Sequence, residues 1–121
     1  MQIDERTVGN VKVLDVTGQI TMGQGNTEFK DKIHSVVNQG HKQILVNLGG
    51  VNYVDSAGLG ELVAAFTTVT RNGGQMKLVN LTKKMNDLLA ITKLSNVFET
   101  FDQEQEAVKS FQLPLADPQL I

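Results

Sequence analysis

The chain has 121 residues, of which 40% are hydrophobic and 20% are charged, and its formal net charge at pH 7 is −2. This length and composition predict one folded domain with a single hydrophobic core. The slightly acidic balance argues against nucleic-acid binding, and the absence of cysteine excludes disulfides, thiolate nucleophiles and cysteine-ligated zinc.

The first residues predict a two-stranded hairpin. Alternating apolar and polar side chains indicate strands from Ile3 to Val8 and from Val11 to Thr17, the second closed by Gly18. Gly9-Asn10 would form the turn between them. Residues 1–7 carry three charges, and no run in the chain approaches the length of a membrane span. We therefore expect a cytoplasmic protein that does not insert into a membrane.

A first amphipathic helix follows a loop predicted over residues 18–25. Asn26 or Thr27 would cap this helix, and Gly40 would end it. Its apolar positions recur at helical spacing, namely Phe29, Ile33, Val36 and Val37.

The middle of the chain predicts a strand, a helix and a second strand. The apolar run from Gln43 to Leu48, ended by Gly49-Gly50, is typical of a strand buried on both faces. A second amphipathic helix is predicted from Ala57 to Arg71 and another strand from Met76 to Leu81. Because such crossovers are right-handed, the two strands should be parallel.

The rest of the chain predicts a third helix capped by Thr82, a short strand from Val97 to Phe101 and a last helix capped by Asp102. Residues Leu113 to Ile121 contain both prolines and no periodicity, which predicts a flexible tail. The sequence therefore indicates an α/β domain over residues 1–112, in which helices follow most strands.

The loop between the central strand and the second helix carries the most informative motif, Asp55-Ser56-Ala57-Gly58-Leu59-Gly60. Loops at the carboxyl ends of parallel strands gather ligand and partner contacts, because helix N-termini there present unpaired N–H groups. A helix cap, supplied by Ser56 or Asp55, is the commoner role for such residues.

The outward face of the second helix consists of small, nearly uncharged side chains. Its residues are Ala57, Glu61, Ala64 and Thr68, flanked by Gly60 and Ala65. A solvated helix normally carries Lys, Glu and Arg there, whereas small side chains let another protein approach closely. A docking surface is one explanation. The alternative is that a neighbouring element, or a second copy in a weak homodimer, covers the same face.

The motif from Asp55 to Gly60, preceded by the strand from Gln43 to Leu48, resembles the signature of STAS domains and in particular of bacterial anti-sigma factor antagonists. The resemblance extends from Val11 to Phe111 in element order. It implies a mixed, mostly parallel sheet of four to five strands with about four helices, and a non-enzymatic protein without a cofactor. Relatives often carry an acidic residue in the loop after the first long strand, and this chain does not.

The resemblance also implies a phosphorylation switch. The unphosphorylated protein would bind an anti-sigma factor with serine kinase activity and thereby free a sigma factor. Phosphorylation of the serine after the motif aspartate, here Ser56, would release it, and a PP2C-type phosphatase would reverse the modification. A phosphate adds about −1.5 to −2 charges beside Asp55 and Glu61, so we expect the interface to weaken while the fold survives.

The resemblance and the helix face together predict a set of partner-binding residues: Gly18, Thr21, Met22, Asp55, Ser56, Ala57, Gly58, Gly60, Glu61, Ala64 and Thr68. Gly18 and Thr21 are included because the loop after the first long strand would border the docking face. Met22 is included because a methionine outside the core periodicity can form an adaptable contact.

Other classes of function fit the sequence less well. Val54 stands where a Gly-x-Ser-x-Gly elbow needs its first glycine, and the only histidines, His34 and His41, lack metal-ligand spacing. The glycine clusters lack a P-loop lysine and the dinucleotide-binding spacing. The alternative is a STAS scaffold or regulatory subunit of a signalling assembly or membrane transport system, without a phosphorylation switch.

Overall fold

The structure is a computed structural model that describes residues 1–21 and 24–112. Met22 and the predicted tail over residues 113–121 lie outside the described residues. The elements in chain order are β1 Gln2–Val8, β2 Val11–Ile20, α1 Gln24–Asn38, β3 Gln43–Val54, α2 Ser56–Arg71, β4 Gln75–Val79, α3 Lys83–Ile91, a 3-10 turn Leu94–Asn96, β5 Thr100–Phe101 and α4 Glu104–Gln112.

The described residues form one five-stranded sheet in the order β1, β2, β3, β4, β5. β1 is antiparallel to β2, and the other neighbouring strands are parallel. The predicted mixed, mostly parallel sheet with four helices is therefore confirmed, as is the parallel β3–α2–β4 unit. The hairpin is also confirmed, because Val8 pairs with Val11 across Gly9-Asn10 and Gly9 takes a φ of 60°.

The two faces of the sheet are covered unequally. Helices α1, α2 and α3 pack on one face, where alternate strand residues such as Val16, Ile44 and Val46 are buried. On the other face α4 contributes the buried residues Ala107, Val108 and Phe111, which pack against Val11, Val13 and Leu45. The cluster of buried side chains on the three-helix face is the larger of the two. Because full burial of each large aliphatic side chain stabilises the fold by about 1.5–3 kcal/mol, this face contributes most of the core.

Two strands run further than predicted. β2 continues through Gly18 to Ile20, and β3 continues through Gly49-Gly50 to Val54. The two strands stay paired because register shifts absorb extra residues of β3. A Cβ on Gly50 would lie 2.5 Å from the Thr17 side chain, so the glycine permits close packing and does not end the strand.

Other boundaries also differ from the predictions. α1 begins at Gln24, ahead of the predicted caps Asn26 and Thr27, so the loop before it is shorter. β4 ends at Val79, because Asn80 takes a left-handed φ of 60° and turns the chain.

The carboxyl-terminal strand and helix are shorter than predicted. Residues 94–96 form a 3-10 turn just before the predicted strand. Of the strand predicted from Val97 to Phe101, only Thr100–Phe101 pairs in the sheet. α4 begins at Glu104, so Gln103 rather than the predicted cap Asp102 directly precedes it. The predicted cap Thr82 is confirmed, since its hydroxyl accepts a hydrogen bond from the Met85 N–H at 3.3 Å.

Candidate partner-docking site around Ser56

Asp55 supplies the N-cap of α2. Its backbone is extended, and its Oδ1 accepts a hydrogen bond from the Gly58 N–H at 2.7 Å. A cap of this kind stabilises a helix by about 1 kcal/mol. Ser56 is therefore the first helical residue, and its side chain is exposed. Of the two candidate caps, Asp55 is the residue that caps the helix, so the Ser56 hydroxyl is not needed for this task.

The end of β2 lies directly beneath the motif. The Asp55 N–H donates to the Ile20 carbonyl at 3.3 Å, and a Cβ on Gly58 would lie only 1.9 Å from that same oxygen. Gly58 is buried, while a Cβ on Gly60 would meet no atom of the described residues within 4 Å. The two motif glycines thus differ: Gly58 lets β2 approach α2, and Gly60 leaves the outer surface open.

The predicted docking face of α2 is partly bordered by α1. Gly60 and Ala64 are exposed, Glu61 and Thr68 are half-buried, and Ala65 is buried. A shallow cavity of about 100 Å³ runs between the two helices, lined by Lys30, Ile33, His34, Glu61, Ala64, Ala65 and Thr68. A neighbouring element therefore accounts for some of the small side chains, and the open surface lies toward the amino end of α2.

The structure brings some predicted residues together at one edge of the sheet. Ile20 is the register partner of Val54, so Thr21, directly after β2, lies at the edge where Ser56 begins α2. Ala57 is half-buried in the first turn of α2. Gly18 lies inside β2 with a φ of 99°, and a Cβ there would lie 3.3 Å from the Met1 Cα. Gly18 is thus a strand residue rather than part of a loop.

Tyr53 was not among the predicted residues, yet 53% of it is exposed two positions before Asp55. It lines a groove of about 220 Å³ between the end of β3 and α3. Tyr53 was missed because β3 was predicted to end near Leu48, which placed Tyr53 in a loop rather than at the end of the strand. The available signal was the only tyrosine of the chain, standing next to the motif.

An ion-pair network lies away from Ser56, where β1, β2 and α4 meet. Arg6 Nε donates to Asp15 Oδ2 at 2.6 Å, and Arg6 Nη1 donates to Glu104 Oε2 at 2.9 Å. Asn47 Nδ2 donates to Asp15 Oδ1 at 2.8 Å. Hydrogen bonds from Arg6 hold the pKa of both carboxyl groups below their usual values. This network fastens α4 to the sheet.

Two further observations concern cofactors and membranes. Over residues 1–21 and 24–112, no group of three or more His, Cys, Asp or Glu side chains is arranged to hold a metal ion. In the same part of the chain, no helix has the length and apolar character needed to span a membrane.

The sequence model of the STAS domain matches residues 2–107. The chain belongs to the STAS domain family. A TM1081 homolog of Thermotoga neapolitana, provisionally named an anti-sigma factor antagonist, is 32% identical over 107 residues, covering 88% of this chain and 95% of the relative. The anti-sigma-B factor antagonist of Bacillus subtilis is 27% identical over 109 residues, covering 90% of this chain and 98% of the relative.

Solved structures share this STAS fold. The crystal structure of TM1081 from Thermotoga maritima superposes with a TM-score of 0.82 at 24% identity, over 89% of this chain and 92% of TM1081. The unphosphorylated form of the anti-sigma factor antagonist SpoIIAA gives a TM-score of 0.71 at 18% identity, over 93% of this chain and 99% of SpoIIAA. The phosphorylated form of Bacillus SpoIIAA gives the same TM-score at 19% identity, over 91% and 99%.

Proposed function

We propose that this STAS protein is an anti-sigma factor antagonist controlled by phosphorylation at Ser56. In the unphosphorylated state it binds an anti-sigma factor that is also a serine kinase, and this binding frees a sigma factor to direct transcription. Phosphorylation of Ser56 by the bound kinase releases the complex, and a PP2C-type phosphatase restores the binding form. The names of the two curated relatives support the antagonist role.

The observation that carries the proposal is that Asp55, and not Ser56, caps α2. The Asp55 carboxylate accepts from the Gly58 N–H at 2.7 Å, which leaves Ser56 exposed in the first helical turn. A kinase can reach an exposed hydroxyl in this position without unfolding the helix. The neighbouring surface, with Gly60 and Ala64 exposed, allows a partner backbone to approach closely.

A phosphate at Ser56 acts on the interface more than on the fold. It adds about −1.5 to −2 charges beside the carboxylates of Asp55 and Glu61, so that like charges crowd the interface and close approach of a partner carries a desolvation cost. The helix N-terminus itself favours an anion, so α2 tolerates the modification. SpoIIAA has this fold in both its unphosphorylated and its phosphorylated form, which supports a fold that survives the modification.

The test is capture of partners from source-cell extract with the wild type, Ser56→Ala and Ser56→Asp as baits, followed by mass spectrometry of the partners and of Ser56. Ser95→Asp is the matched control, because Ser95 is an exposed serine outside α2. We expect the wild type, Ser56→Ala and Ser95→Asp to retain a kinase-like protein, and Ser56→Asp to bind it about tenfold more weakly or worse.

The same experiment separates the switch from the alternative. If all four baits recover the same proteins with equal affinity and Ser56 is never phosphorylated, the switch is wrong. A scaffold or transport-associated role, in which Ser56 has no regulatory function, then takes its place.

A further inference from the structure

Among residues 1–21 and 24–112, the carboxyl-terminal half of β3 has a sheet partner on one side only. β4 pairs with β3 from Gln43 to Asn47, whereas β2 pairs with β3 as far as Val54. The Asp55 N–H donates to Ile20 on the β2 side. Because backbone groups alternate between the two sides of a strand, those of Val54 point away from β2. This strand edge can accept hydrogen bonds from, and donate them to, an added extended segment.

The free edge forms one wall of the groove of about 220 Å³, and the first turns of α3 form the other. The apolar part of its lining consists of Val51, Val54, Met85 and Leu88, of which Val51 and Met85 are nearly fully buried and Val54 and Leu88 are half-buried. The polar part consists of Asn52, Tyr53, Thr82 and Lys84. Successive residues of an extended strand alternate in direction, so one side chain can contact the apolar part while the next faces the polar rim.

The rim of the groove is positive. Lys84 is exposed and forms no ion pair with any residue in 1–21 or 24–112. It lies in the first turn of α3, where the helix macrodipole adds positive potential. None of the lining residues in the described part of the chain is acidic. The groove is therefore complementary to a carboxylate next to an aliphatic side chain.

We infer that this groove binds an extended acidic segment of a protein partner, which adds to the free edge of β3. An aliphatic side chain of the segment contacts Val54 and Leu88, which are half-buried, above the buried Val51 and Met85, and a carboxylate approaches Lys84. The inference rests on the proposed function in assigning the segment to the protein that docks at Ser56. Val54 lines the groove two residues before Ser56, so one segment reaches both sites, and its negative charge is repelled by a phosphate on Ser56.

The experiment uses two short capped peptides as probes, one alternating valine with glutamate and the other alternating valine with lysine. Each is titrated into the isotope-labelled full chain and followed by NMR. We expect the glutamate peptide to shift the amides of residues 51–54 and 82–88. Lys84→Glu should lower the affinity for this peptide by about threefold or more and favour the lysine peptide. Lys83→Glu is the matched control, because Lys83 is exposed in the same turn but does not line the groove.

Three results would overturn the inference: no shift of the groove amides at millimolar peptide, shifts confined to another surface, or equal affinities in the wild type and Lys84→Glu. Failure of the proposed function is a separate outcome. In that case Ser56→Ala and Ser56→Asp bind the same partners, while the peptide titration still gives the result expected here.

Discussion

Gly58 has no room for a side chain, because the Ile20 carbonyl oxygen lies 1.9 Å from the position that its Cβ would take. The atom in the way belongs to the backbone at the end of β2, which also accepts the Asp55 N–H. A small movement of a flexible side chain therefore cannot relieve the contact. The start of α2 and the end of β2 are fixed relative to each other at this point.

The first prediction compares the two motif glycines. Gly58→Ala must displace the Ile20 backbone and should lower the free energy of unfolding by about 1–3 kcal/mol. Gly60→Ala meets no atom of the described residues within 4 Å and should raise it by about 0.5–1 kcal/mol, because alanine favours the helix. Urea denaturation of both variants measures the difference. Equal effects at the two positions would contradict the close approach of β2 to α2.

The second prediction concerns the α2 cap. Asp55→Ala removes the acceptor of the Gly58 N–H and should lower the free energy of unfolding by about 0.5–2 kcal/mol. Asp55→Asn should retain most of the stability of the wild type, because asparagine also accepts this hydrogen bond. The two variants are compared by thermal and urea denaturation. A loss of the same size in Asp55→Asn would assign the effect to the charge of Asp55 rather than to its hydrogen bond.

The third prediction is a pH dependence caused by Arg6. Arg6 lowers the folded-state pKa of Asp15 and Glu104, so their stabilising effect is present above the unfolded pKa and is lost as the pH falls through the folded one. Stability should therefore decrease below about pH 4. Because these groups are partly exposed, we expect each ion pair of Arg6 to contribute about 0.5–1 kcal/mol to the free energy of unfolding.

The measurement for the third prediction is urea denaturation at neutral and acidic pH. Arg6→Gln should flatten the acidic part of the profile, while Arg71→Gln, the control at an exposed arginine at the end of α2, should leave its shape unchanged. If Arg6→Gln and the wild type lose stability in parallel, the network does not cause the pH dependence.

The fourth prediction concerns Lys77, a buried residue of β4. Its ammonium group lies 4.6 Å from the centre of the Phe111 ring and donates to Ser110 Oγ at 2.9 Å. Lys77→Met preserves the volume and should change stability by less than about 1.5 kcal/mol. Lys77→Glu places a negative charge against the ring and near Glu99, and should cost about 3 kcal/mol or more. Similar stabilities of the two variants would show that this position is not buried under α4.

Local patterns were sufficient to predict the element order, the parallel β3–α2–β4 unit and the place of Ser56 at the start of α2. They misplaced the end of β3, because Gly49-Gly50 is typical of a strand end when only neighbouring residues are considered. The strand continues because β2 stays beside it, and this partnership depends on residues about 30 positions apart. For the same reason the β3–α3 groove and Tyr53 were not predicted.

The docking face of α2 could also be predicted only in part from the sequence. Helical periodicity predicted which residues of α2 face away from the core, but it cannot tell which neighbour stands beside that face. The structure places α1 there, next to Glu61, Ala64 and Thr68. Some of the small side chains are thus explained by helix packing within the chain, and the partner-binding role of these three residues stays a prediction.

The direction of α4 has a practical consequence for experiments on binding. The Phe111 carbonyl accepts a hydrogen bond from Gln43 at the first residue of β3, whereas Ser56 lies two residues after the last residue of that strand. A strand of this length spans roughly 40 Å. A linker or biotin joined to the end of α4 in place of residues 113–121 therefore starts at the far end of the sheet, and a chain immobilised in this way presents its Ser56 edge to the solution.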